Sequence, residues 1–87
     1  MLNKNLISEK VNTIIKDNID KRENVNLKKT FEDIGIGSLS FVKIMVEIEI
    51  LFRIEISNEY YIANYKNIGE FIDKIADYLL RGEDHGN

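Results

Sequence analysis

The chain has 87 residues, 44% of them hydrophobic and 31% charged, with a net charge of −3, one histidine, and neither cysteine nor proline. That is the balance of a globular domain rather than a disordered segment or a membrane protein, and a domain of this length hides only about 60–65% of its unfolded surface, which leaves little room for deep pockets. Without cysteine there is no disulfide, thiolate metal site or cysteine nucleophile, so any thiol chemistry must come from a cofactor.

The first predicted element is an amphipathic helix over residues 4–18, because Ile7, Val11, Ile14, Ile15 and Ile19 recur at spacings of three and four. Residues 20–29 break this period and read as a long connecting loop anchored by Val25 and Leu27. Thr30, Phe31, Glu32 and Asp33 have the spacing that caps one short helical turn, leading through Ile34 to the break at Gly35, Ile36 and Gly37. A second helix is predicted over residues 38–52, a run without glycine or proline that is too long for a strand. After a loop at 53–58, residues 59–64 read as a short third helix that sets Tyr60, Tyr61 or Ile62 against the core. The last helix covers residues 68–80, with Asn67 as N-cap, Glu70 three residues on, and Phe71, Ile72, Ile75, Ala76 and Leu79 as its buried stripe.

The fold class is therefore all-α, a small up-and-down bundle of three main helices plus one short helix. It forms a single domain over residues 1–87, with its core at about 4–80 and a flexible tail at 81–87 that holds His85 in solvent rather than in a site. No apolar run approaches the roughly 20 residues that span a bilayer, and the N-terminus lacks the layout of a secretory signal, so the expected location is the cytoplasm, away from any membrane. Residues 1–30 hold seven Lys/Arg against four Asp/Glu, whereas residues 31–87 hold five against eleven. The acidic segment disfavours nucleic acid and suits docking to basic protein surfaces, although a merely solvated acidic face gives the same count.

The second helix carries two apolar arcs. At about 100° per residue, Phe41, Ile44, Met45, Ile48, Leu51 and Phe52 share one broad side, which is the expected core face. Leu39, Val42, Val46 and Ile50 form a second arc beside Ser38, bounded by Ser40 and Glu47 on one edge and by Glu49 on the other. A helix in so small a domain seldom buries both, so the second arc is either an exposed docking stripe or is covered by the short helix and the long loop.

Ser38 follows Gly35-Ile36-Gly37 at a helix start. Its hydroxyl has a plain use as a cap for first-turn amides. The same position suits a phosphate, since helix N-terminal amides and the helix dipole favour an anion. No His, Cys or Lys lies in the motif to activate the hydroxyl, so modification requires another enzyme. Asp17, Asn18 and Asp20 match a calcium loop only faintly, and no metal ligand set is expected. Glu47 and Glu49 point about 200° apart around the helix, so they cannot act together as acid and base, and no catalytic residue is assigned.

Phe31, Ile34, Gly35, Ser38, Leu39, Val42, Ile48, Glu49, Phe52, Ile54 and Ile56 carry a likeness at the level of family. The segment they span, FEDIGIGSLSFVKIMVEIEILFRIEISNEYY, resembles the carrier proteins that include acyl carrier proteins and the peptidyl carrier domains of nonribosomal synthetases. The resemblance implies that Ser38, flanked by Gly37 and Leu39, receives 4'-phosphopantetheine from coenzyme A through a separate magnesium-dependent phosphopantetheinyl transferase. The thiol of that arm then holds acyl or aminoacyl groups as thioesters. The implied partners are that transferase, a loading ligase or acyltransferase, and synthase enzymes. They meet a monomeric carrier along the second helix at Leu39, Val42, Lys43, Val46, Glu47, Glu49 and Ile50. Gly37 stands where acyl carrier proteins usually have Asp, and the helix holds few acidic residues. The first removes a charge that a generic transferase would meet beside the serine, a change that peptidyl carriers tolerate, and the second points to a dedicated polyketide or nonribosomal peptide pathway rather than housekeeping fatty acid synthesis. The alternative is an unmodified helical interaction module in which Ser38 is only a cap.

Overall fold

In the computed structural model, which describes residues 2–20 and 24–84, the chain forms α1 (Lys4–Asp17), a 3-10 turn (Glu32–Ile34), α2 (Ser38–Phe52), α3 (Asn58–Ile62) and α4 (Ile68–Asp84). This is the all-α bundle of three main helices and one short one. α1 starts where the Asn3 Oδ1 accepts the Leu6 N–H at 2.9 Å, satisfying one of the amides that a first turn leaves without a partner. Its Ile7, Val11 and Ile15 are fully buried against α2 and α4. Lys4 reaches across to Asp73 and Asp77 at 2.5 and 3.3 Å, an exposed pairing that aligns α1 with α4 and adds little stability.

α4 is capped twice. Asn67 Oδ1 accepts the Glu70 N–H at 2.8 Å, and Glu70 Oε1 accepts from Lys66 N–H at 3.2 Å. The long loop adds a second set, because the carbonyls of Lys29 and Leu27 accept the amides of Ile68 and Gly69 at 2.8 and 2.9 Å. A Cβ on residue 69 would lie 3.2 Å from the Leu27 oxygen, so glycine there permits the close approach. Val25 packs partly against the core, as an anchor should, while Leu27 is 50% exposed and holds the loop through its carbonyl instead of its side chain.

The core is mostly isoleucine, with Phe71 fully buried at the centre of an aromatic cluster. Its ring meets those of Phe31, Phe41 and Tyr65 edge-on, with centroids 5.0, 5.5 and 5.1 Å away, the separation such pairs prefer. The predicted stripe of α4 is buried throughout, from Phe71 to Leu79. The helix then continues past the expected end at residue 80 to Asp84. The stripe stops because its neighbours stop, and with no proline to break it the backbone runs on through residues assigned to a flexible tail. Arg81 donates to the Tyr60 hydroxyl at 3.0 Å, tying this extra turn to α3. His85 and the remainder of the tail lie outside the described residues.

Leu51 leaves the core, Phe52 packs at its edge, and of the alternatives Tyr60, Tyr61 or Ile62 the two tyrosines take the inward place. Leu51 is 48% exposed, because neighbours cover only part of the circumference of α2 and Leu51 lies at the rim of that arc. Phe52, near the helix end, is only half-buried. Ile62 is 83% exposed, since α3 is little more than one turn and Tyr60 and Tyr61 occupy its inward side. α2 ends at Arg53, which adopts φ 55°, a left-handed conformation that costs a side chain about 1–2 kcal/mol. Arg53→Gly is expected to raise stability by about 0.5–1 kcal/mol, part of the relief being offset by the greater unfolded-state freedom of glycine, and urea denaturation measures it.

Candidate functional site

The reciprocal cap at Thr30 and Asp33 sets the approach to α2. Thr30 N–H donates to Asp33 Oδ2 and Asp33 N–H to Thr30 Oγ1, both at 3.1 Å, and this binding to Thr30 holds the Asp33 carboxyl below its ordinary range. The turn so started closes at Gly35, whose φ of 82° is one that a Cβ disfavours. Gly37 follows as the N-cap of α2, with no side chain bonded to the first-turn amides. The first backbone bond of the helix runs from Phe41 N–H to the Gly37 carbonyl at 2.9 Å, so the amides of residues 37–40 have no partner within the helix.

Ser38 is therefore the first residue of the helix and not its cap. Its side chain is exposed and bonds to none of the free amides, so the capping use of the hydroxyl is not the arrangement the chain adopts. A Cβ built on Gly35 or Gly37 would meet nothing within 4 Å, which leaves the approach open. Beside Ser38 lies an open groove of about 480 Å³ between α2 and the segment after α3, walled by Phe31, Phe41, Val42, Tyr61 and Tyr65 with Thr30, Glu32 and Asn64 at its polar edges. Among the described residues no histidine, cysteine or lysine lines it. A helix of 15 residues with four free amides, an open backbone and a solvent-facing hydroxyl fits a phosphodiester attached through the serine oxygen.

Two groove tyrosines resist ionisation. Burial, reinforced by the neighbouring Glu49 and Glu55 carboxylates, pushes the Tyr61 hydroxyl up to about 12. Burial does the same for Tyr65, again to about 12, helped by Tyr60, Glu70 and Glu59. The folded state thus holds these protons more tightly than the unfolded chain, whose tyrosines titrate near 10. The stability this contributes is complete below the unfolded value and is lost as pH rises from about 10 toward 12. The expected outcome is alkaline unfolding in that window, followed by circular dichroism alongside tyrosinate absorbance.

Along α2 the structure places Leu39, Val42, Val46 and Ile50 on one outward stripe, 88%, 44%, 41% and 71% exposed. Among the described residues, neither α3 nor the long loop covers it. Lys43 lies in the same exposed surface. Glu47 and Glu49 are half-buried and engaged elsewhere: Glu47 Oε2 accepts from the Asn18 side-chain amide at 2.9 Å, and Glu49 Oε2 from the Ile56 N–H at 2.8 Å. Sequence reasoning left out the groove itself. The sequence offers Tyr61 only as one of three candidates to pack against the core and gives Tyr65 no role, with nothing in their spacing to place them opposite Ser38.

The site is an exposed serine at an anion-favouring helix start, beside an open groove. Residues 9–75 match the family described as phosphopantetheine attachment site. An acyl carrier protein of Rickettsia bellii (strain RML369-C) is 34% identical over 74 residues, covering 83% of this chain and 85% of that protein. One from Rickettsia bellii (strain OSU 85-389) is 35% identical over 74 residues, covering 83% and 90%. No solved structure matches the chain. The chain belongs to the phosphopantetheine-binding acyl carrier protein family. It is a carrier and not an enzyme, it holds 4'-phosphopantetheine covalently, and it works with a phosphopantetheinyl transferase and with acyl-handling enzymes. Among the described residues no helix is long and apolar enough to cross a membrane.

Proposed function

We propose that Ser38 is the attachment residue and that the chain acts as a discrete, monomeric, cytoplasmic carrier serving a dedicated polyketide or nonribosomal peptide pathway. The observation that carries the assignment of Ser38 is its exposed, unbonded hydroxyl at the first position of α2, beside four free amides. The attached group supplies a thiol on which acyl or aminoacyl cargo rides as a thioester. The chain's own residues do the rest. The amides of residues 37–40 hold the phosphate, Gly37 and Leu39 flank it without obstructing it, and the groove walled by Phe41, Val42, Tyr61 and Tyr65 shelters the base of the arm. Partners meet the stripe of Leu39, Val42, Lys43, Val46 and Ile50, framed by Glu47 and Glu49. What supports a dedicated pathway is that this stripe offers mainly apolar contact, the two carboxylates that frame it being half-buried and hydrogen-bonded within the chain, a surface suited to a few matched partners.

The test is incubation of the purified chain with coenzyme A, magnesium and a broad-specificity phosphopantetheinyl transferase, followed by intact mass. A gain of one phosphopantetheine on the wild type and on Ser40→Ala, lost in Ser38→Ala, is the expected result. Loading of the modified chain with malonyl, aminoacyl and long-chain acyl groups by their respective enzymes then separates the pathways, and efficient turnover by fatty acid synthesis enzymes overturns the dedicated reading. Val46→Asp is expected to change stability by less than about 0.5 kcal/mol, since residue 46 faces water, while weakening turnover by partner enzymes several-fold. Denaturation curves and transferase kinetics on the one variant check both halves.

A further inference from the structure

The charge of the acidic segment and the charge of its exposed stripe have opposite signs. Residues 31–87 hold eleven acidic residues against five basic ones. Six of those carboxylates are engaged by partners within the chain. Asp33 and Glu70 cap helical turns, and Asp73 and Asp77 pair with Lys4. The two on α2, Glu47 and Glu49, border the stripe on either side, half-buried, and each is already hydrogen-bonded, one to the Asn18 side-chain amide and the other to the Ile56 N–H. The exposed acids Glu32, Glu55 and Glu59 lie off the helix, before it or after it. The stripe itself keeps only cations. Lys43 stands in it and Arg53 closes its end, both exposed, and neither makes an ion pair among the described residues.

We propose that α2 docks a partner whose contact surface is apolar and acidic, a hydrophobic face carrying carboxylates opposite Lys43 and Arg53. This rests on the carrier reading above and deepens it by giving the chemical class of the partner. Leu39 and Ile50, the most exposed apolar side chains of the stripe, supply the area that drives contact. Charge then selects the partner. A basic surface would strand Lys43 and Arg53 beside like charges as water leaves, whereas a carboxylate would pair with them. The same argument disfavours a second copy of this chain, because a two-fold contact through the stripe brings Lys43 toward its own equivalent.

The test uses the 15N-labelled full chain, unmodified and phosphopantetheine-loaded, titrated with two synthetic amphipathic helical peptides. The two share one leucine-rich face and differ only in flanks of glutamate or lysine. The acidic peptide is expected to bind at least about tenfold more tightly, with shifts confined to residues 39–53, and Lys43→Glu is expected to remove that preference. Glu59→Gln, a change off the stripe, keeps it, and thermal melts of each variant verify folding. Equal or tighter binding of the basic peptide overturns the inference. So do shifts centred away from α2, or concentration-dependent shifts without peptide, which would report self-association. A chain that loads normally at Ser38 yet favours the basic peptide overturns this inference alone, whereas a chain that fails to load overturns the carrier reading whatever the peptides do.

Discussion

Ser38→Ala is expected to gain no mass under conditions that load the wild-type chain to completion, and to remain as stable as the wild type. The first half follows from geometry. Ser38 is the exposed hydroxyl at the helix start, while the nearby Ser40 is partly buried and lies about 200° around the same helix. Thr30 Oγ1 is held in the cap of the preceding turn. A transferase that recognises the start of α2 therefore has one oxygen to use. The second half follows from the missing bond. The Ser38 hydroxyl caps nothing, and alanine is the better helix former, so stability should change by less than about 0.5 kcal/mol. Intact mass and a thermal melt on the same sample separate lost chemistry from lost fold, and a Ser38→Ala chain that still gains mass would refute the assignment.

Phe71→Ala is expected to have the largest effect on stability of any single aromatic truncation, about 3–5 kcal/mol. Phe71 is fully buried, and three rings pack edge-on around it. Truncation removes the transfer free energy of a phenyl ring, leaves a cavity that short helices cannot easily close, and cancels three ring contacts at once. Since a domain of this length is stable by only about 4–13 kcal/mol, roughly a quarter or more of the total is at stake, and the melting temperature should fall by more than about 12 °C. Phe52, which sequence periodicity also places in the core, is half-buried, and Phe52→Ala should cost below that range. Urea denaturation of the two variants decides the matter, and a larger loss at residue 52 would contradict the burial described above.

Much of the site was readable in one dimension because it is local. The glycines, the serine and the helix that follows are adjacent in the chain, and the Thr30 cap needs only a spacing of three. The exposed stripe was legible for a similar reason. Helical periodicity arranges residues by angle, and two apolar arcs on one helix of a small domain leave one without a neighbour. Periodicity gives no reach, however. It assigned Leu51 to the interior with the same arithmetic that correctly buried Ile44 and Ile48, since an angle does not say where the adjoining helix ends.

Helix positions, their caps at Asn67 and Thr30, and the candidate serine were determined by the amino-acid sequence alone, because each depends on residues within a few positions of one another. Tertiary structure decided the rest. It brought Tyr61 and Tyr65 across from Ser38 to make a groove, lent the carbonyls of Leu27 and Lys29 to α4, and engaged Glu47 with Asn18 and Glu49 with the Ile56 amide while leaving Lys43 and the apolar stripe exposed. Those outcomes join residues distant in the chain, and whether a carboxylate faces water or an unpaired amide depends on which donors folding sets beside it, a choice that composition and net charge do not contain.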